Sequence, residues 1–141
     1  MFPLNTKILC VDDYPIIRRK MIENLQSLGF KGPFLEASSA EEAISSLDKE
    51  QKTESPVGIV FSDWNMPGEG GLKILDHMRQ RTHYDSTPFI LITSLSYDPK
   101  MMKALRMGIT SFLPKPWAIE DLKERLEDAW LKHMASKKKT A

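Results

Sequence analysis

Gly58-Ile59-Val60-Phe61-Ser62, followed at once by Asp63-Trp64-Asn65-Met66-Pro67, is the stretch on which the fold reading turns. Gly58 to Ser62 is near-continuously apolar, as expected of a strand covered on both faces rather than one alternating between core and water. The segment containing Pro67, Gly68, Gly70 and Gly71 reads as a loop, and Leu72, Leu75 and Met78 then recur at helical spacing. Downstream, Phe89 to Thr93 is a second apolar run. Asp98 caps a helix with Pro99 at its first position, and Gly108 closes it. Phe112 and Leu113 mark a short strand, and the last helix turns Ile119, Leu122, Leu126 and Ala129 inward.

Upstream the same alternation holds. Lys7 to Val11 reads as the first strand, and Pro15 opens a helix whose stripe is Ile17, Met21, Leu25 and Leu28, ended by Gly29. Phe34 to Ala37 is a short strand. Ser39 with Glu42 forms a capping-box pattern ahead of Ala40, Ala43, Ile44 and Leu47, and the polar stretch from Asp48 to Pro56 reads as a loop. Five strands alternating with five helices predict right-handed crossovers and a doubly wound parallel α/β sheet. The chain is expected to be one domain over 1–141, with a core from about 6 to 134 and a basic tail over 135–141.

The bulk numbers narrow the function classes. The 141 residues are 41% hydrophobic and 28% charged, and Lys+Arg 20 against Asp+Glu 19 gives a net charge of +1. Such balance gives no reason to expect nucleic acid or an anionic membrane as a partner. Lys137, Lys138 and Lys139 read as a solvated end. The lone Cys10 lies in an apolar run and reads as core packing, and no zinc-type spacing exists. His77, His83 and His133 are scattered and read as surface residues. No apolar run has the length of a signal peptide or a membrane span, which points to the cytoplasm.

In a doubly wound sheet, ligands bind outside the carboxyl ends of the strands. The first strand ends in Asp12 and Asp13, the third in Asp63 and the fourth in Thr93 and Ser94, while Lys115-Pro116 follows the fifth. Each residue alone has an ordinary explanation; Asp13, for example, stands where a helix cap would. Together they collect chemically able groups at one edge. Three carboxylates within a few ångströms repel by roughly 4 kcal/mol per close pair at an effective dielectric of about 20. Something positive must offset them, and the candidates are Lys115 and a divalent cation. Mg2+ (or Mn2+) suits carboxylate and carbonyl oxygens. With Lys115 and the Thr93 hydroxyl binding further oxygens, this is a site for in-line phosphoryl transfer onto a carboxylate.

These residues resemble the receiver domains of bacterial response regulators, the CheY-like, flavodoxin-like kind, especially those of chemotaxis. The resemblance runs from about Lys7 to the last helix. It rests on Asp12-Asp13, Ser62-Asp63-Trp64-Asn65-Met66-Pro67 with Gly71-Leu72, Ile92-Thr93-Ser94 and Lys115-Pro116. It implies the strand order 2-1-3-4-5. It also implies that Asp63 accepts a phosphoryl group from a histidine kinase or a small donor, and that Asp12, Asp13, Asp63 and the Asn65 backbone carbonyl hold Mg2+. Thr93 would move toward the phosphoryl group, Phe112 would turn inward behind it, and Lys115 would pair with it, with a cis bond before Pro116. A protein target would then bind the face formed by the fourth helix, fifth strand and fifth helix. The chain would be a monomer or weak dimer and no enzyme beyond its own phosphorylation and dephosphorylation.

Four positions depart from the pattern. Gly70 stands where many receivers carry Asp. Phe112 lacks a switch hydroxyl, and Pro114 lacks a backbone donor beside Lys115. Leu95 is apolar where a polar side chain would orient an attacking water, which implies an altered lifetime for the aspartyl phosphate. Trp64 and Ser94 stand near the site. Met101, Met102 and Met107 read mostly as core filler, and Trp117 and Trp130 bracket the last helix. A receiver-like module that binds without phosphorylation and a receiver cut from a hybrid kinase are the competing readings. A dehalogenase-type phosphatase is disfavoured by Asn65, where that chemistry wants a second Asp. The chain ends soon after the last helix, so output is expected through protein contact.

Overall fold

The computed structural model describes residues 1–64, 66, 70–80, 83–94 and 99–140, the side chains of 99–101 and 137–140 excepted. The expectations for Asn65, Leu95, the Asp98 cap, the Pro67-Gly68 turn and the side chains of Met101 and Lys137 to Lys139 lie outside these residues.

The elements run β1 (Ile8–Val11), α1 (Pro15–Ser27), β2 (Phe34–Ala37), α2 (Ala40–Gln51), β3 (Ile59–Asp63), α3 (Gly70–Arg79), β4 (Phe89–Thr93), α4 (Pro99–Met107), β5 (Ser111–Pro114) and α5 (Ile119–Thr140). The strands form one parallel sheet in the order β2-β1-β3-β4-β5. Consecutive strand residues point to opposite faces, and both faces are covered. Leu9, Val11, Val60, Phe89 and Leu91 pack with Ala43, Leu47, Ile74, Leu75 and Ala104 from α2, α3 and α4. Ile8, Cys10, Ile59, Phe61, Ile90 and Ile92 pack with Met21, Leu25, Leu122 and Leu126 from α1 and α5. This double burial explains why the central strands read as unbroken apolar runs. It also pushes the Cys10 thiol far above the ordinary thiol range.

Local signals explain most boundaries. Ser39 caps α2, its side chain accepting from the Glu42 N–H at 3.2 Å, while the Glu42 carboxylate accepts from the Ser38 N–H and hydroxyl. Pro15 opens α1, and the bond between Lys115 and Pro116 is cis, as is that between Gly32 and Pro33.

Several expectations are corrected. α2 continues to Gln51, beyond the expected loop start at Asp48, because Asp48 and Glu50 find partners in His77 and Lys7. His77 is correspondingly half-buried, not a plain surface residue, and its Nε2 lies 2.8 Å from Asp48 Oδ1. Gly70 and Gly71 belong to the first turn of α3, and Ile74 joins its buried stripe. Met102 is exposed, with Leu105 beside it; α4 turns only Ala104 fully inward among its described side chains. The packed core also reaches back to Phe2, whose ring meets Trp130 edge-on at 5.0 Å.

Candidate functional site

The parallel register brings the strand ends level. Val11 pairs with Ser62, Asp63 with Ile92 and Thr93 with Pro114. The backbone ladder runs one residue further, with Asp12 N–H donating to Ala37 O, Trp64 N–H to Ile92 O and Lys115 N–H to Thr93 O. Asp12, Asp13, Asp63, Thr93 and Lys115 therefore converge on one edge, as their positions after the strands predict.

The three carboxylates each present an oxygen within 4.8 Å of the other two. Asp12 is 1% exposed and Asp63 5%. Lys115 Nζ stands 2.9 Å from Asp12 Oδ2 and 3.2 Å from Asp63 Oδ1. Burial alone would pull the Lys115 ammonium down. The hydrogen bonds and charges of Asp12 and Asp63 outweigh that pull, and Lys115 titrates above its ordinary value.

The neighbouring aspartates differ in how they are held. Asp12 has its Oδ1 on the Tyr14 N–H at 2.9 Å, its Oδ2 on Lys115, its N–H on Ala37 O and its backbone oxygen on Arg18 Nη1. Asp13 Oδ1 is sealed from solvent with no hydrogen-bond partner among the described residues. Tyr14 caps α1 without a side-chain bond, so Asp13 is not the cap that its position suggested. A buried carboxylate oxygen left unpaired is costly. An all-oxygen donor set with one orphaned member fits a hard divalent cation.

One cation cannot balance three carboxylates, and a second one close by, which sequence reading missed, is committed to Glu36 and to a backbone oxygen. Arg18, one turn into α1, donates to the Asp12 backbone oxygen and, through Nε, to Glu36 Oε1 at 2.9 Å. Its signal was Glu36, a lone charged residue in the otherwise apolar β2. On the other side, the α3 glycines sit close behind Asp63. A Cβ on Gly71 would lie 3.0 Å from the Asp63 carbonyl oxygen. One on Gly70, where φ is +52°, would lie 2.8 Å from the Trp64 oxygen. That backbone accounts for glycine at position 70.

Trp64 and Thr93 are buried beside the site and Ser94 is exposed. Phe112 is 40% exposed and faces outward, with the Arg125 guanidinium 5.2 Å from its ring centroid.

Comparison with known proteins agrees with this geometry. The sequence model of the response regulator receiver domain matches residues 8–127. A chemotaxis protein CheY homolog of Campylobacter jejuni is 34% identical over 122 residues, 86% of this chain and 90% of that protein. Chemotaxis protein CheY1 of Helicobacter pylori is 33% identical over 121 residues, 86% of this chain and 94% of its own length. The solved structure of chemotaxis protein CheY4 of Vibrio cholerae superposes with a TM-score of 0.76 at 29% identity, covering 89% of this chain and 98% of that one. The chain belongs to the response regulator receiver domain family, of the CheY-like kind.

Proposed function

We propose that the chain, acting as one receiver unit over residues 1–141, accepts a phosphoryl group on Asp63 and passes the signal to a protein partner. The observation that carries this reading is the Asp63 carboxylate, buried at the end of β3 with Lys115 Nζ 3.2 Å away and Asp12 and Asp13 beside it. Family members are signalling domains rather than classical enzymes, so the chemistry sought is self-modification.

An Asp63 carboxylate oxygen attacks the phosphorus of the donor in line, the new acyl-phosphate bond forms, and the bond from phosphorus to the donor's leaving group breaks. Lys115 pairs with a phosphoryl oxygen, and the Thr93 hydroxyl donates to another. Asp12, Asp13 and Asp63, with the Asn65 backbone carbonyl that the family pattern adds, hold Mg2+ (or Mn2+), which when bound neutralises charge on the transferring oxygens. The donor is a histidine kinase or a small acyl phosphate, and the setting is the cytoplasm, as suits relatives that serve chemotaxis. Among the described residues no helix is long and apolar enough to cross a membrane.

The output face is α4, β5 and α5. Met102, Leu105 and Phe112 are exposed there, and an inward turn of Phe112 behind Thr93 changes that surface. Phosphorylation then biases two arrangements that already exist.

The test is intact mass after incubation with acetyl phosphate and Mg2+, with Asp63→Asn in parallel and tryptophan fluorescence as a second signal. One phosphoryl group is expected on the wild type, dependent on Mg2+ and absent from the variant. An unmodified wild type under these conditions, and with a panel of histidine kinases, overturns the reading in favour of a binding module without phosphorylation.

A further inference from the structure

Lys115 enters the site on a short turn, and what holds that turn lies on α1. Two residues on, Trp117 is 5% exposed, and its indole N–H donates to Asn24 Oδ1 at 2.9 Å. Lys20, one turn earlier on the same helix, donates from Nζ to the Trp117 backbone oxygen at 3.2 Å and lies 4.3 Å from the indole centroid. The turn is thus gripped through its ring nitrogen, its ring face and its carbonyl, all by one helix. The N-terminal end of that helix abuts Asp12 and Asp13.

We propose that Asn24 and Lys20, acting through Trp117, are positioning residues that set the reach of Lys115 toward Asp63. The inference rests on the reading of Asp63 as phosphoacceptor. Only Pro116 separates Lys115 from Trp117, so a displacement of the indole reaches the Lys115 backbone with little slack. On its other side Lys115 is held by its N–H on Thr93 O at 2.8 Å, which fixes the strand end but not the direction in which the turn leaves it. Ordinary core packing would require only an apolar ring at position 117. It would not require a lysine over the ring that is also bonded to the carbonyl beneath it. A buried indole needs a partner for its N–H, and here the partner is chosen from the helix that also borders the acid cluster.

The experiment compares wild type, Asn24→Leu, Trp117→Phe and the double variant, each checked for folding by urea titration. The rate of phosphorylation by acetyl phosphate is expected to fall about tenfold in Asn24→Leu, the scale of loss from a small misplacement of a reacting group. Mg2+ affinity should stay at the wild-type value, because the aspartates are untouched. The double variant should be no slower than either single one, since both partners of the same bond are gone. Lys115 placement is read independently by reductive methylation, mapped by mass spectrometry, which should accelerate severalfold in Asn24→Leu. Unchanged methylation and unchanged rate in folded variants overturn the inference, as does faster methylation with an unchanged rate. If the wild type takes no phosphoryl group while methylation still rises in the variants, the grip on Lys115 stands and the reading of Asp63 falls.

Discussion

The two edges of the sheet handle buried charge in opposite ways. At the edge where β4 and β5 begin, Arg79 joins the turn before β4 to the turn before β5. Its Nε and Nη2 donate to Gly108 O, and its Nη1 donates to both Tyr84 O and Thr87 O. Burial lowers its pKa, opposed by Asp85, but a guanidinium stays charged. Tyr84 beside it is fully buried with its hydroxyl on Leu47 O at 2.8 Å. At the edge where the strands end, three carboxylates crowd together, one oxygen of Asp13 has no partner among the described residues, and Lys115 is shared by two acids. A cation whose every nitrogen donates to a backbone carbonyl is an architectural tie. A cluster left short of partners inside a folded domain is held there for a ligand, because removing it would relieve the molecule.

The comparison can be broken by exchanging effects between the edges. The largest effect expected is on chemistry: Lys115→Met should slow phosphorylation by acetyl phosphate about a hundredfold, the cost of losing one charge-stabilising donor. A smaller effect than tenfold would mean that the strand-end lysine is only structural. Next, Arg79→Ala should cost about 1 to 2 kcal/mol by urea denaturation, since it takes the donor from buried Thr87 O, while Tyr84 O keeps the Thr87 N–H and Gly108 is exposed to water. Its phosphorylation rate and Mg2+ affinity should match wild type when the protein is folded, and a weakened Mg2+ affinity would deny the separation of the two edges.

Asp13→Asn should act with the reverse sign. Without Mg2+ it relieves repulsion and raises stability by about 1 kcal/mol, while Mg2+ binding weakens. A destabilised variant would mean that Asp13 is paired after all. The smallest effect is in alkali. Because Lys115 titrates above its ordinary value, its contribution to stability is complete below the unfolded-state pKa of about 10.4 and is lost as pH rises through the folded one. Wild-type stability should therefore fall more steeply than that of Lys115→Met above about pH 10, and parallel curves would show that the ammonium gains nothing from the acids.

The same contrast separates what the sequence made legible from what it hid. The strand-end edge was readable because Asp12, Asp13, Asp63, Thr93 and Lys115 each stand just after or at the end of an apolar run, so local pattern and topology point to one place. The ties were not readable. Arg79, Arg18, Lys20 and Asn24 lie on helices at positions where polar side chains normally face water, and their partners are backbone oxygens or residues far along the chain. No periodicity encodes such a bond. The extension of α2 to Gln51 was hidden for the same reason, because a polar turn looks like a loop until His77 and Lys7 supply its partners. Gly70 and Gly71 read as loop residues by propensity. Closeness to the Trp64 and Asp63 backbone, which only the fold reveals, explains glycine at the start of α3. Met102 shows the limit of hydrophobicity alone, since an apolar side chain on an amphipathic helix is as available to a partner as to the core.

The central claim, that the crowded edge exists to place a phosphoryl group on Asp63, is tested most directly by locating that group. After treatment with acetyl phosphate and Mg2+, reduction with borohydride converts an aspartyl phosphate to homoserine, which peptide mass spectrometry assigns to a position. Homoserine at position 63, absent without Mg2+ and absent in Asp63→Asn, is the result expected. Homoserine at another acid, or none at all in a protein that binds Mg2+, would contradict it.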